Sequence, residues 1–437
     1  MLTHGVDIAS RTETGKTALH LAAKGGEVAM TRLLLENGCD VNAKDDFGNS
    51  PLHDAAASNN TPAVTVLITQ HLLDINCQNS EGKTALSLAA QGGHHEAVQS
   101  LLDHGAAIDR PDIQGRTPIS LAAEWGHEEV VSILLDNGAD FIRRTSLLCT
   151  IARQGHVRIV QMLLDRGLDV ISKRRTGQRA LFGAAEMGHQ SIVKLLLDRG
   201  ADINSKSKFG YTVLYRAAEM GHQSIVKLLL DHGADINSKS KFGYTALYGA
   251  AEMGHQSVVK LLLDHGADIT SRPRYRNTAL YTAAIGGDGS VVKLLLDHGA
   301  DINSKSKLGY TALHGAAEMG HQSIVKLLLD HGADINSKTV DGYTALDRAA
   351  SNGQESVVKL ILDHGADINS RTRGGNTALH TAARCGNGNV VKLLLEHGAD
   401  INSRRGDGNT ALDNAKLWGR ERIVKLLLDH ERRTLIP

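Results

Sequence analysis

Short apolar runs at helical spacing alternate with glycine-centred polar stretches along the chain. The pattern is plainest in Phe242–Ile269, Phe-Gly-Tyr-Thr-Ala-Leu-Tyr-Gly-Ala-Ala-Glu-Met-Gly-His-Gln-Ser-Val-Val-Lys-Leu-Leu-Leu-Asp-His-Gly-Ala-Asp-Ile. Thr245 precedes the first run and is suited to cap a helix by accepting a free backbone N–H. Leu247, Ala250 and Ala251 fall on one face of that short helix, which Gly254 ends. A second helix follows, with Val258, Val259, Leu262 and Leu263 inward and Lys260 outward. Gly266 stands where a helix terminus needs positive φ, and His265 suits the negative end of the helix dipole. The predicted unit is two antiparallel helices and a protruding turn.

This unit recurs at 33-residue spacing. Complete repeats begin at Thr17, Ser50, Thr84, Thr117, Ser146, Arg179, Thr212, Thr245, Thr278, Thr311, Thr344, Thr377 and Thr410. A unit this small cannot bury its apolar face alone, so neighbours must stack on it. The Ala-Ala pair lets adjacent helices approach closely, and the low aromatic fraction fits a core of thin Leu/Ala/Val layers.

The words Gly-x-Thr-Ala-Leu, Ala-Ala-x-x-Gly-His and Leu-Leu-Leu-Asp-His-Gly-Ala-Asp-Ile-Asn, at this period, resemble the ankyrin repeat over essentially the whole chain. The resemblance implies an all-α solenoid of about thirteen helix-turn-helix units with protruding β-turn loops. It implies no particular partner.

Two steps break the period. Between Ser50 and Thr84 the step is 34 residues, and His71-Leu72-Leu73 replaces the usual Gly-Ala, so an irregular helix end is expected there. Between Thr117 and Ser146 it is 29, and Phe141 to Thr145 leave no room for a full turn. We place the internal boundary at this second break. Residues 1–145 hold divergent repeats and 146–437 a second array, near-identical from 179 to 350. The first repeat lacks its helices, and Ile423–Leu428 keep the interior pattern, so the chain is expected to continue past both ends.

Lys plus Arg and Asp plus Glu are equal at 48 each, so no whole-molecule field draws the chain to nucleic acid or membrane. Cys39, Cys77, Cys149 and Cys385 are scattered without paired spacing, which favours a reducing compartment. With no signal-like start and no long apolar run, the expected location is cytoplasmic, with the nucleus as the second choice.

The 22 histidines invite a metal or catalytic reading. Their positions argue otherwise. Most precede a helix-ending glycine, as His265 does, or follow the inter-helix glycine, as His255 does. His20, His53, His314 and His380 fill a Thr-x-Leu-His slot. Equivalent positions in stacked repeats lie about 10 Å apart, too far to share one zinc ion. Asp264-His265 and its copies point apart on their helix, with no nucleophile at fixed spacing. Gly286-Gly287-Asp288-Gly289 aligns with an inter-helix turn rather than a phosphate loop. No catalytic residue, cofactor or metal site is expected.

In ankyrin proteins the protruding turns and the exposed face of the first helix form a partner-binding groove. Carried over, the variable slots are Lys208, Phe209, Tyr211, Glu219 and Met220, then Lys241, Phe242, Tyr244, Glu252 and Met253. The next repeats contribute Arg274, Tyr275 and Ile285, then Lys307, Leu308, Tyr310, Glu318 and Met319, with Tyr343 continuing the row. Arg276 replaces a turn glycine. Aromatics, Met and Arg are the residue types enriched in interface cores. A second row, Phe182, Tyr215, Tyr248 and Tyr281, fills the family's His slot and is expected to pack and bond between turns.

The expected function is a non-enzymatic scaffold that binds another protein on this concave surface. Two other readings stand beside it. One is the recognition or sensor segment of a larger multidomain protein. The other is an anion-binding edge for nucleic acid or anionic lipid, built from Lys173, Arg174, Arg175, Lys206, Lys208, Lys239, Lys241, Arg272, Arg274, Lys305, Lys307, Arg371 and Arg373. Glu186, Glu219, Glu252 and Glu318 lie close to that edge and weaken it.

Overall fold

The computed structural model describes residues 8–141, 147–168, 170, 174–273 and 278–434. Among these there are twenty-six helices and no β-strand. They group into two units, Met1–Asp202 and Ile203–Pro437.

The repeat Thr245–Asp264 shows how local sequence builds each layer. Thr245 has extended backbone (φ −109°, ψ 164°), and its hydroxyl accepts the N–H of Tyr248 at 3.3 Å, starting the helix Ala246–Glu252. Gly254 ends it at φ 73°, and the second helix runs Gln256–Asp264. Leu247, Ala250, Ala251, Val258, Val259 and Leu262 are buried, as the spacing predicts. At the far end His265 donates from Nδ1 to the carbonyl of Leu261 at 2.8 Å, and Gly266 follows at φ 82°. The same bond recurs at His104, His232, His298, His331, His364 and His397.

Within each unit first helices pack on first helices and second on second. In unit 2, Ala246–Glu252 contacts Val213–Glu219 on one side and Ala279–Gly286 on the other. In unit 1, Pro118–Glu124 packs on Leu147–Gln154 and Glu128–Asp136 on Val157–Asp165. Helix stacking thus continues past the short 29-residue step. Residues 142–146, at the expected boundary, lie outside the described ones.

Side-chain bonds join the layers. His94, His127, His189, His255 and His321 each donate from Nε2 to a backbone carbonyl near the end of the preceding repeat's first helix, at 2.9–3.2 Å. Asn387 and Gln354 make the equivalent bond with an amide. A second set of staples runs through the turns, where Asn204, Asn237, Asn303, Asn336 and Asn369 accept the backbone N–H of an aspartate one repeat on. These five histidines therefore hold layers together.

One position departs from the common repeat pattern and two residues depart from expectation. Where most repeats place an inter-helix glycine, Asn59 occupies the left-handed region at φ 55°. Asn tolerates this conformation better than most residues. Arg174 and Arg175 were expected in a protruding turn of the basic edge. They instead open the helix Arg174–Glu186, a 13-residue helix that packs on Leu147–Gln154. Lys173 lies outside the described residues.

Candidate interaction surface

The turns at Ser207, Ser240, Ser306, Thr339 and Thr372 are built alike, each hydroxyl accepting the N–H four residues on. Ser240 Oγ accepts the N–H of Phe242 at 3.3 Å and of Tyr244 at 3.0 Å, and the Gly243 N–H bonds the Ser240 carbonyl at 2.9 Å. Adjacent turns then ladder through the backbone, with Lys241 N–H on Phe209 O at 3.0 Å, Val340 on Leu308 at 2.9 Å and Arg373 on Asp341 at 2.8 Å. Gly210 makes the first of these contacts feasible. Its φ is 80°, and a Cβ there would stand 2.8 Å from Lys241 N.

This ladder fixes the tip side chains. Phe209 is 53% exposed and Phe242 42% exposed, with ring centroids 6.4 Å apart in a stacked arrangement. Leu308 is exposed at its own turn tip. Lys208, Lys241 and Lys307 are exposed beside them, and Met220, Met253 and Met319 are exposed at the ends of the first helices.

The tyrosines of the row sit deeper. Tyr211 stacks on Tyr244 at 6.3 Å, and the two rest on Tyr215 at 4.5 Å and Tyr248 at 5.0 Å respectively. Tyr211, Tyr244, Tyr310 and Tyr343 are half-buried. Burial pushes the phenols of Tyr211 and Tyr310 up. Glu219, Glu252, Glu318 and Ile285 are half-buried too. Glu219 takes the Tyr215 hydroxyl at 3.2 Å and Arg216 Nη1 at 2.5 Å. Arg274, Tyr275 and Arg276 lie outside the described residues.

The second row is buried at Tyr215, Tyr248 and Tyr281, and Phe182 is half-buried. Its bonding differs from the expected bridge between turns. His314 does make that bridge: Nδ1 accepts from Thr311 N and Oγ1 (3.3 and 2.8 Å), and Nε2–H donates to Tyr343 O at 3.0 Å. Tyr215 instead donates to Glu219 on its own helix, and Tyr248 accepts from Thr282 Oγ1 at 3.0 Å. A phenol projects its oxygen farther than an imidazole nitrogen, past the turn carbonyl and into the surface between first helices.

A second guanidinium lies within this surface. Arg348 Cζ is 4.7 Å from the Tyr310 ring centroid and 4.6 Å from that of Tyr343, and Nη2 donates to the Tyr310 hydroxyl. Along the outer edge, cations stack repeat upon repeat. Lys206 Nζ bonds Lys239 O at 3.2 Å, Lys305 bonds Lys338 O at 3.3 Å, and Arg371 bonds Arg404 O at 2.7 Å. Much of this edge therefore also serves to tie turns together.

Sequence reasoning missed exposed residues in the same slots of more divergent repeats. In unit 1, Phe47 and Trp125 stand exposed at a cleft of about 560 Å³ that His53, Asp54 and Leu88 also line. Of these, Asp54 is ion-paired with Lys16 at 2.5 Å, and Lys16 also pairs with Asp45 at 3.2 Å. Trp418 is exposed in unit 2. Phe47 aligns with Phe209, and Trp125 and Trp418 with Met220, so the slot rule applied to every repeat would have found them. Among the described residues no group of three His, Cys, Asp or Glu is placed to hold a metal, and no helix is long and apolar enough to cross a membrane.

The family description "Ankyrin repeats (3 copies)" matches residues 1–72, 68–145, 142–207, 199–273 and 280–372, and "Ankyrin repeats (many copies)" matches 361–415. Among individual proteins, the chain is 33% identical over 109 residues to Neurogenic locus notch homolog protein 1 of Xenopus laevis, covering 25% of this chain and 4% of that protein. Neurogenic locus notch homolog protein 2 of Homo sapiens matches to the same extent. Transient receptor potential cation channel subfamily A member 1 homolog of Caenorhabditis elegans is 39% identical over 109 residues, covering 24% of this chain and 9% of its own length. The chain thus spans a small part of these relatives. With paired helices, laddered turns and family matches along nearly its whole length, the chain belongs to the ankyrin-repeat family.

Proposed function

We propose that the chain is a non-enzymatic scaffold that binds another protein along the turn tips and first-helix ends of unit 2. The supporting observation is the Phe209–Phe242 pair, two large apolar rings held in the open by a backbone ladder. Rings already fixed in place lose little entropy on binding. Leu308 and the exposed methionines extend the apolar contact, and Lys208, Lys241 and Lys307 give it a basic rim.

Replacing both Phe209 and Phe242 with Ala in the full chain tests this. Proteins retained by immobilised wild-type chain should be lost from the variant, with helical content and melting unchanged. Retention of the same proteins by both would overturn the proposal. Binding to nucleic acid or anionic lipid is expected to be weak and salt-sensitive.

A further inference from the structure

Two arginines occupy the same first-helix position in unit 2, and their surroundings differ. Arg216 is neutralised within its own repeat, Nη1 lying 2.5 Å from the Glu219 carboxylate three residues on. Arg348 has Ser351 at the corresponding place. Its guanidinium lies over the rings of Tyr310 and Tyr343, 4.7 and 4.6 Å from their centroids, and Nη2 is steadied by the Tyr310 hydroxyl. Asp347, next in sequence, is buried, with Oδ2 turned to the N–H and hydroxyl of Thr344 at 2.8 Å each. Glu318 and Asp341 act electrostatically on the Tyr310 phenol, and the hydrogen bond Arg348 makes is to that hydroxyl. Asp347 therefore acts on Arg348 only through space, and a cation held by two aromatic faces with no carboxylate bonded to it is a prepared site for one.

The rim of the site narrows the choice of occupant. Leu308 (65% exposed) and Val340 (50% exposed) stand on adjacent laddered turns above it. Lys307, Lys338 and Arg373 are exposed around them. We propose that this part of the surface takes an extended acidic peptide segment of the partner, with an Asp or Glu side chain on Arg348 and apolar neighbours on Leu308 and Val340. This rests on the protein-binding reading above. Ser351 is a specificity-determining position because a carboxylate there, as at Glu219, would occupy the guanidinium internally.

Phage-displayed random peptides selected on the full-length wild-type chain, on Arg348→Met, on Ser351→Glu and on Phe209→Ala/Phe242→Ala provide the test. Wild type should enrich peptides carrying Asp or Glu beside apolar residues, and replacing that acid with Gln or Asn in the leading synthetic peptide should weaken binding about tenfold or more. Ser351→Glu keeps the arginine and both rings, yet should lose the acidic preference, as should Arg348→Met. Circular dichroism verifies that each variant folds. An unchanged acidic preference on both Arg348→Met and Ser351→Glu, with binding still lost on Phe209→Ala/Phe242→Ala, would overturn the Arg348 site and leave the broader reading standing. Dependence on a free peptide C-terminus instead of an internal acid would also overturn the site. Failure of wild type to enrich any peptide would overturn both.

Discussion

His255 reaches back across a repeat interface and donates its Nε2–H to the carbonyl of Glu219 at 2.9 Å. The equivalent residue one repeat later is Asp288, whose side chain lies over Gly254 as His255 lies over Gly221. An ionised carboxylate has no proton to give at that slot. Asp288→Asn should stabilise unit 2 by about 1 kcal/mol, since Asn387 makes this bond at 2.8 Å, and His255→Ala should cost a similar amount. Urea unfolding of both variants, read as a midpoint shift at constant m value, checks the pair.

The same neighbourhood lacks a second staple. Thr270 stands where Asn237 and Asn303 accept an aspartate N–H from the next repeat, and its hydroxyl turns instead to Asp268 Oδ1 at 2.6 Å. Thr270→Asn should restore the link to Asp301 and stabilise by roughly 0.5–1 kcal/mol. Slower amide exchange in the flanking second helices, Gln256–Asp264 and Gly289–Asp297, would support this. Unchanged exchange there would count against it.

Acid should weaken the fold. Burial pushes His314 down to about 4 from an ordinary 6.5, and lowers His53 and His380 as well. In each the neutral ring is required, because Nδ1 accepts the backbone N–H of the residue three before it. Their stabilisation is complete above the ordinary histidine value and is lost as pH falls through it toward the depressed one. Between about pH 7 and 5, His314 alone accounts for about 2 kcal/mol. Burial raises Asp347 to about 6, so this one group works oppositely and returns about 1 kcal/mol over the same range. Asp347→His should therefore steepen the acid loss. Denaturant midpoints measured across that range would reveal the sign.

The aromatic row should divide into binding and packing members. Phe209 and Phe242 are open, and replacing both with Ala should alter stability by no more than about 0.5 kcal/mol. Tyr211 and Tyr244 carry the stacked core of their turns, and replacing both should cost about 1–3 kcal/mol. Thermal melts of the two double variants, compared side by side, decide this.

At the 29-residue step the helices still pack, but the sequence is too short for a full turn. We expect the turn ladder to be interrupted there and the array beyond residue 145 to unfold separately from what precedes it. Hydrogen exchange over a denaturant series should give different protection on the two sides. A single cooperative transition would rule it out.

Most of the fold was legible in the sequence because a repeat is local. Helix faces, caps and glycine-ended turns depend on residues within a few positions, and stacking follows once one unit cannot bury its own face. The slot rule also placed Phe209, Phe242 and Met220 in the open, where the structure has them. Other features were settled by contacts between repeats. Tyr211 and Tyr244 are half-buried because rings from adjacent turns and from the helices below meet at 4.5 to 6.3 Å. Arg174 and Arg175 belong to a 13-residue helix that packs on Leu147–Gln154, a contact between repeats. Arg348 gained two tyrosine faces, one of them 38 residues away along the chain. No local pattern encodes such a meeting. The period sets which slots face one another, but side-chain length and the chemistry of the facing slot decide what bonds form there.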